Sequence, residues 1–299
     1  MITVFGSINM DLIATTKRLP LPGETVAGDT FSTAAGGKGA NQALAARRAG
    51  SQVRMVGAVG DDGFADPALS LLDVAGTDLS SVIRSPTSTG TALILVGGDG
   101  ENMIAVIAGA NGTLTEAEAA GAVAGMQAGD ILMLQLEIPA AAVEHALTQA
   151  RARGVKTIIN IAPLTSEAAR LGRMADIVIA NETEFERLAA WEGMGADGRR
   201  HALRRLHAET AQTLIVTLGA EGVIAIHEGT EYQAEGLQIV PVDTVGAGDT
   251  FCGYFAAGLD QGLDFSTALR RAAVAGSLAC LQHGAQPSIP TADAVAAAL

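Results

Sequence analysis

The stretch DTVGAGDTFCGYFAAG, residues 243–258, sets three small residues, Gly246, Ala247 and Gly248, and then the carboxylate of Asp249 ahead of an apolar run. Small residues there add little to a core, so what they offer is uncovered backbone. The apolar run after them reads as a helix and LQIVPVD (237–243) before them as a strand. The first amides of a helix lack acceptors of their own and the macrodipole adds positive potential, so the turn suits an anion. Asp249 then has two readings. A carboxylate in the first turn is an ordinary helix start. Beside a bound anion it is also placed to take a proton from a hydroxyl that attacks that anion, and the pair becomes a phosphoryl-transfer site.

Outward from this turn, short runs such as ITVFG, QVRMVGAVG, DILMLQLE, KTIINIAP, DIVIAN and TLIVTLG are continuously apolar, as strands covered on both faces are. Runs with apolar residues three and four apart alternate with them, among them NQALAARRAG, PAAAVEHALTQARARG and GRRHALRRLHAET. The pattern predicts an α/β fold, a mostly parallel sheet with helices on both faces. Two segments break the rhythm. Residues 12–33, with Pro20, Pro22 and Gly23, and residues 89–109, two strands around the turn GGDG, predict a small extra sheet standing off the main layer as a lid. One domain over 1–299 with this β excursion is expected.

Lys and Arg number 19 against 32 Asp and Glu, a net charge of −13 that repels nucleic acid and anionic membranes, so neither is expected as a partner. An anionic ligand must be held by local groups. Cys252 and Cys280 stand apart in apolar helical contexts, which implies buried thiols and no disulfide framework. With no leader-like start and no apolar run of spanning length, the expected location is the cytoplasm.

A second glycine cluster, AAGGKGANQALAARRAG (34–50), opens a helix near residue 38. Gly36, Gly37 and Gly39 permit close approach, with Lys38 and Asn41 as polar groups beside them; alone, this is equally a turn with a solvated lysine. GSINMD (6–11) adds Asn9 and Asp11 at a strand's carboxyl end, where open α/β sheets bind ligands. Other glycine-loop chemistries fail on spacing: there is no GxxxxGK[ST], and GSINMD takes the place of a GxGxxG after the first strand.

GGKGANQA and DTVGAGDTFCGYFAAG, in this order, resemble the two signature motifs of the ribokinase family of sugar and nucleoside kinases. PGETV, STGTALILV, GENMI, GANGTL, LQLEIP, NETE, TLGAEGV and HGAQPS extend the likeness nearly end to end. The resemblance implies a three-layer α/β/α fold with a β lid, and transfer of the γ-phosphoryl of ATP to a sugar's primary hydroxyl, D-ribose first among the sugars. Asp249 is then the base, and the amides of Gly246, Ala247 and Gly248 hold the migrating phosphoryl charge. Asn9, Asp11, Gly37, Lys38, Asn41 and Glu137 match positions that bond the sugar hydroxyls, and Ala92, Ile94 and Val106 match apolar lid positions. Asn181 and Glu184 match an NxxE motif that organises Mg²⁺ through water, while Thr217 and Gly219 match a nucleotide-contacting loop. Asp243, Val245, Ala279, Gly284 and Ser288 match the ligands of a monovalent cation, K⁺ in most members. Dimerisation through the lid is implied as well.

Read without the family, Asn181 and Glu184 form a helix cap, Thr217 ends a strand, and Ala92, Ile94 and Val106 are ordinary hairpin packing. Among functions, a fructokinase, deoxyribokinase or nucleoside kinase would keep the turn and base with other sugar-side residues. A noncatalytic sensor would have no use for Asp249.

Overall fold

The computed structural model describes residues 1–299. From the amino end the chain forms β1 (Ile2–Phe5), β2 (Asn9–Thr16), β3 (Gly28–Gly36), α1 (Lys38–Arg48), β4 (Val53–Gly60), α2 (Ala65–Val74) and β5 (Asp78–Ser85). Next come β6 (Gly90–Val96), β7 (Asn102–Ile107), α3 (Glu116–Ala124), β8 (Ile131–Leu134), α4 (Ala140–Ala152), β9 (Lys156–Asn160) and α5 (Ala168–Gly172). After β10 (Ile177–Asn181), α6 (Glu182–Leu188), α7 (Ala196–Thr210) and β11 (Thr213–Thr217), a hairpin of β12 (Val223–His227) and β13 (Thr230–Ala234) follows. Four helices close the chain: α8 (Ala247–Asp260), α9 (Phe265–Ala279), α10 (Ala285–Ser288) and α11 (Ala292–Ala298).

Nine strands pair in the order β13-β12-β11-β10-β9-β8-β1-β4-β5, parallel except at the β11-β12-β13 edge. The continuous apolar runs divide between two cores. Ile131 and Met133 of β8 and Ile177 and Ile179 of β10 face the layer of α1, α2, α8 and α9. Leu132, Leu134, Val178 and Ala180 between them face the layer of α3, α4, α6 and α7. Strict alternation along strands buried on both faces produces the three-layer α/β/α arrangement expected from the sequence. No helix is long and apolar enough to cross a membrane.

A separate four-stranded sheet, β3-β2-β6-β7, holds the two segments that broke the rhythm. Its central pair, β2 and β6, is parallel, with Asp11 opposite Ala92 and Ile13 opposite Ile94. The GGDG turn closes the β6–β7 hairpin through Gly97 N–H to Glu101 O at 2.8 Å. β2 and β3 begin and end at the main sheet, so Asn9 and Gly36 pair across the junction.

The strand expected over 237–243 does not form. Its amides find partners on α9 instead: Leu237 N–H donates to Ser277 Oγ at 3.0 Å, and Val242 and Asp243 N–H donate to Cys280 O at 2.8 and 3.2 Å. With those donors satisfied by the end of a helix and Val240 87% exposed, the segment gains nothing from a ladder.

Candidate active site

The turn before α8 is built on Gly246, whose φ of +77° favours glycine and whose Cβ would stand 2.9 Å from Ala285 Cα. Nothing lies within 4 Å of the direction a Gly248 side chain would take, so the backbone there is open. The Gly246 and Gly248 amides donate to no group of the protein. Ala247 N–H makes a 3.3 Å contact with Thr244 O, so of the three amides expected to hold the anion two are free and one is turned partly inward.

Asp249, in the first turn of α8, is 7% exposed. Asn41 Nδ2 donates to its Oδ2 at 2.9 Å and Gln42 Nε2 to its Oδ1 at 3.0 Å. Lys38 opens α1, the helix of Asn41 and Gln42, and its ammonium is held above the ordinary lysine pKa chiefly by Asp249, with Glu137 and Glu184 adding to the effect against the burial that opposes it. α1 can bring these groups in because Gly37 has φ +88° and because a Cβ at Gly39 would collide with Gly6 C and Ser7 N at 2.6 Å. The glycines of GGKG therefore let the start of α1 press on the β1–β2 crossing.

Across that crossing, Glu137 takes the Lys38 amide at 3.1 Å and the Ser7 hydroxyl at 2.6 Å. Asn111 donates from Nδ2 to Asn9 Oδ1 at 2.7 Å and accepts the Ile8 amide at 2.9 Å, which leaves Asn9 its NH₂ to present. Asp11 accepts no hydrogen bond from the protein. Burial first, then Glu137 and Asp249, push its carboxyl from 3.8 up to about 6.

That shift carries a stability prediction. The folded chain holds the Asp11 proton more tightly than the unfolded chain, so stability falls as pH rises from 3.8 through about 6. Above that window the ionised group costs on the order of 2–3 kcal/mol. Asp11→Asn is expected to raise the melting temperature at pH 8 with little gain near pH 4, while weakening sugar binding. Calorimetric melts at both pH values check this, and a lower melting temperature at pH 8 contradicts it.

Asn181 and Glu184 form a reciprocal cap on α6, each accepting the other's amide at 2.9 Å, so the helix-cap reading of NETE holds. Both also line a cleft of about 200 Å³ with Lys38, Asn160, Thr217, Gly246, Gly248 and Asp249. Burial raises the Glu184 pKa, the Asn181 amide and Lys38 opposing and Asp249 adding. Gly219 lies outside the lining, two residues past Thr217. No three carboxylate, histidine or thiol groups cluster to hold a metal directly. One Glu184 oxygen remains outside the cap, a donor set that fits a hydrated divalent ion carried by phosphates.

Behind the turn, the Asp243 carboxylate accepts Val245 N–H at 3.0 Å and Gly284 N–H at 2.9 Å. This ties the chain before α8 to α10, which carries Ser288, beside the carboxyl end of α9 at Ala279. The five positions matched to a monovalent-cation site therefore lie on three joined segments rich in carbonyls, which suits such an ion.

The sequence reading missed Gln42, Ser7, Asn111 and Asn160. Ser7 and Asn111 sit beside Gly6 and Gly112, and Gln42 directly follows Asn41 in GANQA, but none carries a charge or a spacing that marks it, and Asn160 has no such neighbour.

A model of the pfkB family carbohydrate kinases matches residues 1–292. A ribokinase of Haemophilus influenzae is 35% identical over 97% of this chain and 95% of its own. A deoxyribokinase of Salmonella typhi is 34% identical over 98% of this chain and 96% of its own. The structure of an Arabidopsis thaliana ribokinase complexed with ribose and ATP superposes with a TM-score of 0.89 at 31% identity, covering 99% of this chain and 97% of the other. The fold thus recurs in relatives matched nearly end to end, and the chain belongs to the pfkB family of carbohydrate kinases.

Proposed function

We propose that this chain transfers the γ-phosphoryl of ATP to the 5-hydroxyl of D-ribose. The observation that carries the reading is the position of Asp249, bonded to sugar-side Asn41 and one residue from the unpartnered amide of Gly248. Asp249 takes the hydroxyl proton as the sugar oxygen bonds to the γ-phosphorus and the bond to the ADP oxygen breaks. The amides of Gly246 and Gly248, with Ala247 after a small turn adjustment, face the charge on the moving group. Lys38 offsets the negative charge that ATP brings into an acidic protein. Glu184, through water, would help hold a Mg²⁺ carried by the ATP phosphates, and that ion would supply positive charge beside them. A monovalent cation, K⁺ by the family pattern, would hold the shape of the turn from Asp243, Val245, Ala279, Gly284 and Ser288. Thr217 and Gly219 would border the nucleotide.

On the sugar side, Asp11 offers two unpaired acceptor oxygens and Asn9 a donor, a set that suits vicinal hydroxyls. The deoxyribokinase relative favours 2-deoxyribose as a second reading. A sugar with one hydroxyl fewer leaves a buried group unpaired, so kcat/KM for ribose should exceed that for 2-deoxyribose by about 100-fold or more. Equal or better turnover of 2-deoxyribose in an ADP-release assay overturns the choice of ribose.

The four-stranded sheet would act as the lid, with Ala92, Ile94 and Val106 on the same face as Asp11. Phe31, Leu93 and Met103 on the opposite face are 70%, 47% and 53% exposed, and Ile104 and Val106 on the Asp11 face are 53% and 57% exposed, apolar surface on a sheet with open edges that calls for cover. A homodimer through this sheet supplies it. Light scattering should give twice the chain mass for the parent and one chain mass for Met103→Lys, on the face away from Asp11; a monomeric parent contradicts the dimer.

A further inference from the structure

Two consecutive residues of α1 grip the Asp249 carboxylate, Asn41 at one oxygen and Gln42 at the other. We propose that Gln42, backed by Gln135, is a positioning residue that fixes the rotation of this carboxylate so that it meets the sugar hydroxyl in one orientation. This rests on the reading of Asp249 as the base.

Donor and acceptor chemistry sets the direction of the chain of bonds. An ionised carboxylate only accepts, so Gln42 must turn its NH₂ toward Asp249 and its Oε1 away. That Oε1 meets Gln135 Nε2 at 2.6 Å. Gln135, the residue after β8, must therefore present its own NH₂, and its Oε1 is left buried without a partner. The orphaned oxygen occupies the space of a missing side chain, because a Cβ on Gly6 would fall 2.0 Å from it. Gln42 and Gln135 are 1% and 0% exposed, so bulk water does not substitute for either. Asn160 Oδ1, at 3.4 Å, is a weaker second acceptor for the Gln42 NH₂.

All donors thus run one way, from Gln135 through Gln42 to Asp249. An unpartnered buried oxygen costs stability. A chain that retains it keeps the Gln42 amide from flipping, and so keeps Asp249 from losing its donor. With Asn41 on Oδ2 and Gln42 on Oδ1, rotation of the carboxylate breaks at least one bond.

Gln42→Met keeps the length and burial of the side chain and removes the donor. Its kcat should fall by about 10- to 100-fold, the cost of a misplaced reacting group, with KM for ribose and ATP within about twofold. Gln135→Met should show the same pattern with a smaller loss. The double variant should be no worse than Gln42→Met, because one residue acts through the other. A kcat within about twofold of the parent for Gln42→Met, a loss carried by KM, or losses that multiply in the double variant would overturn the proposal. Should Gln42→Met not fold, Gln42→Leu also lacks the donor, and full kcat there overturns the proposal equally. Asp249→Asn is measured alongside. If it is active, the base reading itself fails; if it is inactive while Gln42→Met turns over normally, only the positioning role fails.

Discussion

Asp249→Asn is expected to lower kcat by about 10²- to 10⁴-fold while leaving ribose affinity close to that of the parent. The amide keeps the volume, retains one of the two donor contacts from α1 and loses the basic oxygen. Asn41 and Gln42 can still meet the side chain at one atom, so the helix crossing and the sugar-side groups Asn9, Asp11 and Glu137 stay in place. Calorimetric titration of ribose separates binding from turnover. Parental kcat in an ADP-release assay contradicts the assignment, and loss of ribose binding with loss of fold assigns the residue a structural role.

The second large effect is expected at Gly253, one turn further along α8. A Cβ there would stand 2.5 Å from Ala45 Cβ, 2.5 Å from Gln42 O and 2.7 Å from Ala46 N, all on α1 and two of them backbone atoms. The two helices touch main chain to main chain at this point. Gly253→Ala must push α1 outward, at a cost of about 1–3 kcal/mol and several degrees of melting temperature. Because α1 carries Lys38, Asn41 and Gln42, kcat should fall with it. Gly121→Ala on α3 is the control. Nothing lies within 4 Å of that Cβ, and exchanging a helix glycine for alanine should stabilise by about 0.5–1 kcal/mol. Thermal melts that move both variants in the same direction contradict the crossing.

Gly253 also shows where the sequence was legible and where it was not. The runs DILMLQLE and DIVIAN announced their strands because a strand covered on both faces must be apolar at every position. GAGD and GGKG stood out because backbone that meets a ligand or another chain segment cannot carry side chains. Gly253 belongs to the same physics but serves helix packing, which a single sequence does not separate from ligand approach. LQIVPVD misled because its apolar alternation resembles a strand, while its amides are satisfied by Ser277 and Cys280, far along the chain. The β12–β13 hairpin was passed over although HEGT links the apolar run VIAI to the mixed run TEYQA, Glu228 and Gly229 both taking positive φ. Gln42, Gln135 and Asn111 lie within GGKGANQA, LQLEIP and GANGTL, yet none stands out there: a buried amide reads as any polar residue until its partner, 93 or 103 residues away, is known.

The central claim is tested most directly by a crystal structure of Asp249→Asn with ribose and ATP, a variant slow enough to hold both substrates. The account predicts the 5-oxygen of ribose within about 2.6–3.2 Å of the side chain at position 249, and γ-phosphate oxygens on the amides of Gly246 and Gly248. A ribose turned so that no primary hydroxyl approaches position 249, or phosphates seated away from that turn, would contradict it.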